Sequence, residues 1–231
     1  MTGQLPLALR LASHAVLETF VVGANGAALA HLRVLARGEQ DGAVWLAGPA
    51  GSGKSHALQA ACREAGAAGK RAMYLPLRVP EAAPELLANL DAIDFLALDD
   101  IDRAAGIPAW EERLFEVLNS LASGRRALLI AAGLTPAATS FALPDLASRA
   151  AGAVLYRLQP LGEEDQIAAL MQGARHRGLE LDPAAARFLQ SRVPRDMHAL
   201  GEWLERLDAA SLAAQRRVTV PFVRSLLAGL P

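Results

Sequence analysis

The densest chemistry in this chain of 231 residues lies in Gly48-Pro49-Ala50-Gly51-Ser52-Gly53-Lys54-Ser55. The segment satisfies the pattern G-x-x-x-x-G-K-[ST] at every fixed position. Gly48, Gly51 and Gly53 let backbone N–H groups, that of Ser52 among them, turn inward around phosphate oxygens. Lys54 brings a point positive charge, and the Ser55 hydroxyl can ligate Mg²⁺. Further along, Phe95-Leu96-Ala97-Leu98 runs into Asp99-Asp100. In a nucleotide site of this kind, a carboxylate at the end of a buried strand holds Mg²⁺, and a neighbouring acid polarises the attacking water. Alone, the pair reads equally well as a polar strand end entering a turn with Asp102. After a complete phosphate loop it reads as the second half of a nucleotide–Mg²⁺ cradle, with Lys54, Ser55 and Asp99 at its centre and Asp100 as the catalytic acid.

The elements that must position these groups can be read from hydrophobic runs. Residues 43–47 form a short buried strand before the loop, and residues 56–65 a helix after it whose N-terminus favours anions. Four more apolar strands are expected at 71–76, 94–99, 127–132 and 153–158, separated by helical pattern or long connections. That alternation predicts a parallel sheet covered on both faces. After Gln159-Pro160-Leu161 the strand signals stop, and helices are expected at about 163–176, 183–192, 196–209 and 220–227. The expected fold is therefore α/β, a P-loop domain with a five-stranded parallel sheet over residues 13–160, followed by a small all-α domain over 161–231.

Composition narrows the function. A hydrophobic content of 52% argues for a packed core, and a formal net charge of -1 provides no general attraction to nucleic acid, so any action on DNA is expected to run through a partner. Cys62 is the only cysteine; it forms no internal disulfide, suits a reducing compartment and reads as core packing. His14, His31, His56, His176 and His198 are scattered without metal-ligand spacing. Arg175-His176-Arg177 reads as a solvated helix end. The first residues lack a basic-then-apolar leader, and no run approaches the roughly 18 apolar residues of a membrane span. A cytoplasmic protein is expected.

A phosphate loop, an Asp-Asp strand end and trailing helices together resemble the AAA+ ATPases, and further segments resemble the DnaA family within them. Leu17 to Asn25 is similar to the segment that packs on adenine in that family, which implies Val21 and Val22 as adenine neighbours; from the residues alone it is also an ordinary apolar lead-in to a first helix. Leu143-Pro144-Asp145-Leu146-Ala147-Ser148-Arg149 resembles the element whose arginine reaches a neighbouring subunit's nucleotide. The resemblance makes Arg149 an arginine finger acting in trans, a group worth roughly 10³ to 10⁵ in rate; by position alone it is a solvated or capping Arg. Val193-Pro194-Arg195-Asp196 resembles the sensor 2 motif, so Arg195 would touch phosphate in cis and couple nucleotide state to lid angle; otherwise it is an Arg in the first turn of a surface helix. Ala131-Ala132-Gly133 departs from the family, which carries a small polar or acidic side chain at the end of the fourth strand, and this departure implies weak intrinsic hydrolysis.

Near the N-terminus, Gln4-Leu5-Pro6-Leu7-Ala8-Leu9 resembles a sliding-clamp-binding peptide, with Gln4, Leu5, Leu7 and Leu9 as its contacts and residues 1–12 as its extent, although Ala8 stands where relatives often carry Pro. The whole set is similar to the Hda family of DnaA-homologous regulators. What that resemblance implies is negative regulation of replication initiation. With the DNA-loaded sliding clamp (the polymerase beta subunit), such a protein promotes hydrolysis of DnaA-bound ATP while holding ADP or ATP and Mg²⁺ itself, without reading origin sequence, associated with the replisome through the clamp and able to self-associate. An autonomous AAA+ ATPase or helicase-loader-like protein is the alternative.

Overall fold

The computed structural model describes residues 15–17, 20–80, 82–121, 126–194, 197–214 and 217–229. Its centre is a parallel sheet of five strands, β1 (Gly42–Ala47), β2 (Ala72–Pro76), β3 (Phe95–Asp99), β4 (Ala127–Ala132) and β5 (Val154–Arg157), in the order β2-β3-β4-β1-β5. Each strand is a short β-branched or apolar run ended by Gly, Pro or a charge, and each differs from its expected span by at most about one residue at either end. The α-helices beside them are α1 (Gly26–Ala36), α2 (Lys54–Ala67), α3 (Pro108–Leu121) and α4 (Pro144–Ala151).

Strand side chains alternate between the two faces, and the sheet buries both. Trp45, Leu96, Leu98, Leu128 and Ile130 pack with Trp110 and Leu114 of α3 and with Leu146 and Ala150 of α4. Their neighbours Val44, Leu46, Phe95, Ala97 and Leu129 pack instead with Leu32 and Leu35 of α1 and Leu58 and Cys62 of α2. Cys62 is thus a core residue, and burial pushes its thiol up to about 12. The edge position of β5 has a cost that the sequence did not indicate. Val154 and Leu155 remain exposed, because among the described residues no strand pairs on their far side.

Four helices follow, α5 (Glu163–His176), α6 (Pro183–Gln190), α7 (Met197–Ala214) and α8 (Val220–Ala228). Their buried residues, Ile167, Leu170, Leu189, Leu200, Leu204, Leu207 and Val223 among them, form a cluster of their own. Asp182 caps α6 by accepting the Ala184 N–H at 2.7 Å, with Pro183 at the first helical position. The helix α7 runs five residues past its expected end, through Ser211-Leu212-Ala213-Ala214, where nothing in the sequence breaks a helix.

Candidate functional site

The phosphate loop joins β1 to α2 at the C-terminal edge of the sheet, where open α/β folds place their ligands. Its glycines are required by geometry. A Cβ on Gly48 would come within 2.8 Å of both the Leu158 carbonyl and Ser52 Oγ, and Gly51 and Gly53 hold φ values of +73° and +88°. Gly53 caps α2 without offering a side-chain acceptor, so the first-turn N–H groups of that helix gain no side-chain cap. Ser52 is buried, and its Oγ has no hydrogen-bond partner among the described residues. A buried hydroxyl of this kind beside a helix N-terminus fits a phosphate oxygen. Lys54 Nζ reaches back across the loop, donating to the Gly48 and Pro49 carbonyls at 2.7 and 2.8 Å. Burial lowers its pKa below the ordinary lysine value, and the charges of Asp99, Asp100 and Asp102 act against that shift.

Strand parity aims Asp99. It shares a face with Phe95 and Ala97, the face covered by α2, and so points to the side on which Lys54 begins its helix. The carboxylate is 1% exposed; its Oδ2 accepts the Tyr74 hydroxyl at 2.7 Å and its Oδ1 the Asp100 N–H at 3.0 Å. Tyr74 stands opposite Ala97 on β2, two residues short of Asp99 in register, so its ring spans the difference. Burial first, and then the Asp99 charge, push the phenol well above its usual range and keep it a donor. Asp100 sits in the left-handed region at φ +56°, unusual for a side chain other than Gly. Its carboxylate lies 3.3 Å from Arg78 Nε, and burial followed by the Asp99 charge raises its pKa. Asp102 Oδ2 accepts the Gly133 N–H at 2.6 Å, tying the turn after β3 to the end of β4. There Ala131 and Ala132 are fully buried, with no polar side chain.

The segment of Val21 and Val22 lies between the loop and α5. A Cβ on Gly53 would touch the Phe20 ring at 3.5 Å, and one on Gly23 would meet Leu161 Cδ2 at 3.0 Å and Asp165 Oδ2 at 3.3 Å. Val21 is half-buried and Val22 exposed. Next to them, Asn25 exchanges two hydrogen bonds with Gln159, donating from Nδ2 to its carbonyl at 3.0 Å and accepting its N–H at 2.8 Å. Arg149 stands apart on α4. Leu146 and Ala150 are buried beneath it, its own side chain is exposed, and among the described residues it has no hydrogen-bonded or ionic side-chain partner. Gln4, Leu5, Leu7, Leu9 and Arg195 lie outside the described residues.

The structure thus gathers Gly48 to Ser55, Asp99 and Asp100 around one strand edge, brings Val21 and Val22 to its margin and keeps Arg149 separate. Sequence reasoning missed Tyr74 and Arg78, the partners of the two acids. The donor set suits a nucleotide with Mg²⁺. Among the described residues no cluster of three or more His, Cys, Asp or Glu forms a metal cage, and Mg²⁺ is commonly held by one or two carboxylates together with substrate phosphates.

Residues 163–227 match the family model of the Hda lid domain. Over nearly the whole chain the fold is that of domain III of the Thermotoga maritima replication initiation protein DnaA, with a TM-score of 0.78 at 21% identity, covering 94% of this chain and 97% of that one. The chain has the AAA+ fold, and its last four helices match the Hda lid. Aquifex aeolicus DnaA bound to AMPPCP is similar over 86% of this chain and 66% of its own, with a TM-score of 0.69 at 21% identity. The Thermotoga maritima RuvB Holliday junction branch migration motor matches at 0.63 and 19% identity, over 89% of this chain and 67% of its own. Likeness at these identities establishes the AAA+ fold. Among the described residues no helix is long and apolar enough to cross a membrane.

Proposed function

We propose that this AAA+ protein is a negative regulator of replication initiation which, together with the DNA-loaded sliding clamp, promotes hydrolysis of ATP bound to DnaA. The observation that carries the reading is the Hda-type lid at residues 163–227 on a fold shared with DnaA domain III. In this reading Gly48, Gly51, Ser52, Gly53, Lys54 and Ser55 cradle the phosphates of ADP or ATP, Ser55 and Asp99 hold Mg²⁺, and Val21 and Val22 flank adenine. Arg195 in the lid (161–231) touches phosphate and reports nucleotide state as domain angle. Residues 1–12 dock on the clamp through Gln4, Leu5, Leu7 and Leu9, which makes the association with DNA indirect.

Arg149 completes the partner's site. Its guanidinium would neutralise charge building on the transferring phosphoryl group, while the water and the leaving nucleotide belong to DnaA. The AMPPCP-bound DnaA neighbour supports nucleotide as the ligand class. Two features support weak turnover by the chain itself. Asp100 faces Arg78, and the end of β4 offers no polar side chain to orient water.

The test is hydrolysis of DnaA-bound ATP with this protein, clamp and DNA supplied or withheld one at a time. Stimulation that needs all three is expected. Rapid ATP turnover by the isolated chain, without stimulation of DnaA, would replace the reading with an autonomous ATPase or helicase-loader-like protein.

A further inference from the structure

Glu111 is a buried acid that the nucleotide site does not use. It lies in the first turn of α3, is 1% exposed, and spends both carboxylate oxygens on backbone amides from two separate segments. Oε1 accepts the Gly106 N–H at 2.6 Å and the Ala142 N–H at 2.9 Å, and Oε2 accepts the Leu143 N–H at 2.7 Å. Such charge-assisted bonds are strong and directional, and a buried carboxylate persists only when they are made.

The two segments matter for what they lead to. Leu143 is the N-cap of α4, and its carbonyl accepts the first helical bond, from Ala147. Arg149 follows by about one and two-thirds turns, roughly 9 Å of rise. Gly106 closes the loop that leaves Asp99, Asp100 and Asp102. Leu146 and Ala150 seat α4 on Trp110 and Leu114 of α3, the helix that carries Glu111. Apolar packing sets the distance of α4 from α3, but it resists sliding and rotation poorly; directional hydrogen bonds at the N-cap supply that restraint.

We propose that Glu111 is the positioning residue for Arg149, fixing the start of α4 against the loop after the acidic strand so that the arginine is presented in one orientation to a partner's nucleotide. The proposal rests on Arg149 acting in trans as read above. A displacement of about 1 Å at a charge-stabilising group can cost about 10²-fold in rate, so a loosened N-cap should weaken catalysis without weakening association.

The experiment uses the full chain in the DnaA, clamp and DNA assay, with Glu111→Gln, Glu112→Gln and Arg149→Ala. The Glu111→Gln amide would keep one acceptor oxygen but turn an NH₂ toward a backbone N–H. Expected for E111Q is a fall of at least about tenfold in the maximal stimulated rate, with the half-saturating concentration of this protein and its own ADP affinity unchanged. E112Q, on the exposed side of the same turn, should match wild type. Full stimulation by E111Q, or a fall accompanied by an equal loss of half-saturation and ADP affinity, would overturn the proposal. If R149A abolishes stimulation and E111Q does not, Glu111 alone is wrong; if R149A stimulates normally, the trans reading falls and Glu111 has nothing to position. Should E111Q not fold, Ala142→Pro removes one donor and leaves the acid in place. The same selective loss of maximal rate supports the proposal, and an unchanged rate overturns it.

Discussion

At the C-terminal edge of the sheet the charged groups face partners within the chain: Lys54 the loop carbonyls, Asp99 the Tyr74 hydroxyl, Asp100 the Arg78 guanidinium. On α4, Arg149 is exposed and has no such partner among the described residues, yet the helix beneath it is held by a buried carboxylate and a packed apolar face. The first region is built to hold something between its own groups. The second presents a single cation from a rigid mount. Under the proposed function the two divide the work: the first region would hold the chain's own nucleotide and set conformation, while the exposed arginine would supply charge to a partner.

The largest expected break in this contrast is Arg149→Ala. Stimulated DnaA hydrolysis should fall by on the order of 10³-fold, while ADP binding by this chain, measured by fluorescence titration, stays at the wild-type value. A drop in both would mean that the two regions are not separate. Lys54→Ala should do the reverse, weakening ADP binding by about 10- to 100-fold, as loss of a charge-assisted contact does. Binding at wild-type strength would remove Lys54 from the cradle. Gly48→Ala should lower the melting temperature, since a Cβ set against the Leu158 carbonyl costs about 1–3 kcal/mol. An unchanged melting curve would show that the loop shifts freely.

The smallest effect belongs to the exposed Arg71–Asp94 pair. Hydrogen bonds from Arg71 hold the Asp94 carboxyl at about 2, below its ordinary 3.8. The acid is depressed in the fold, so its contribution is complete above the ordinary value and is lost as pH falls toward 2. In an NMR titration Arg71→Ala should return Asp94 toward 3.8, with melting at neutral pH nearly unchanged.

The strands were legible because each is a continuous apolar run bounded by charge, Gly or Pro, and the glycine-rich turn from β1 into α2 because its residues are contiguous. The partners of the acids were not. Tyr74 is 25 residues from Asp99 and Glu111 is 32 from Leu143, so no local pattern links them. Glu111 did carry a signal. It lies in helical phase with Leu114 and Leu118, on the buried face of α3, whereas Glu112 beside it points outward. A charged residue at a core phase predicts a buried acceptor, even where its donors cannot be named. The trans role proposed for Arg149 comes only through resemblance, because an exposed Arg on a helix that starts Pro-Asp carries no distinguishing pattern.

Asn25 has a mechanical consequence. By binding both the N–H and the carbonyl of Gln159, its amide imitates the neighbouring strand that β5 lacks at that point. One bond holds the peptide plane before Gln159 and the other the plane after it, so the chain is pinned immediately ahead of Pro160, whose ring fixes its own φ. The join between the sheet and the four terminal helices is thus braced twice, by the Asn25 amide at Gln159 and by the close approach of Leu161 and Asp165 to Gly23, so that the lead-in to α1 acts as a strut on the start of α5.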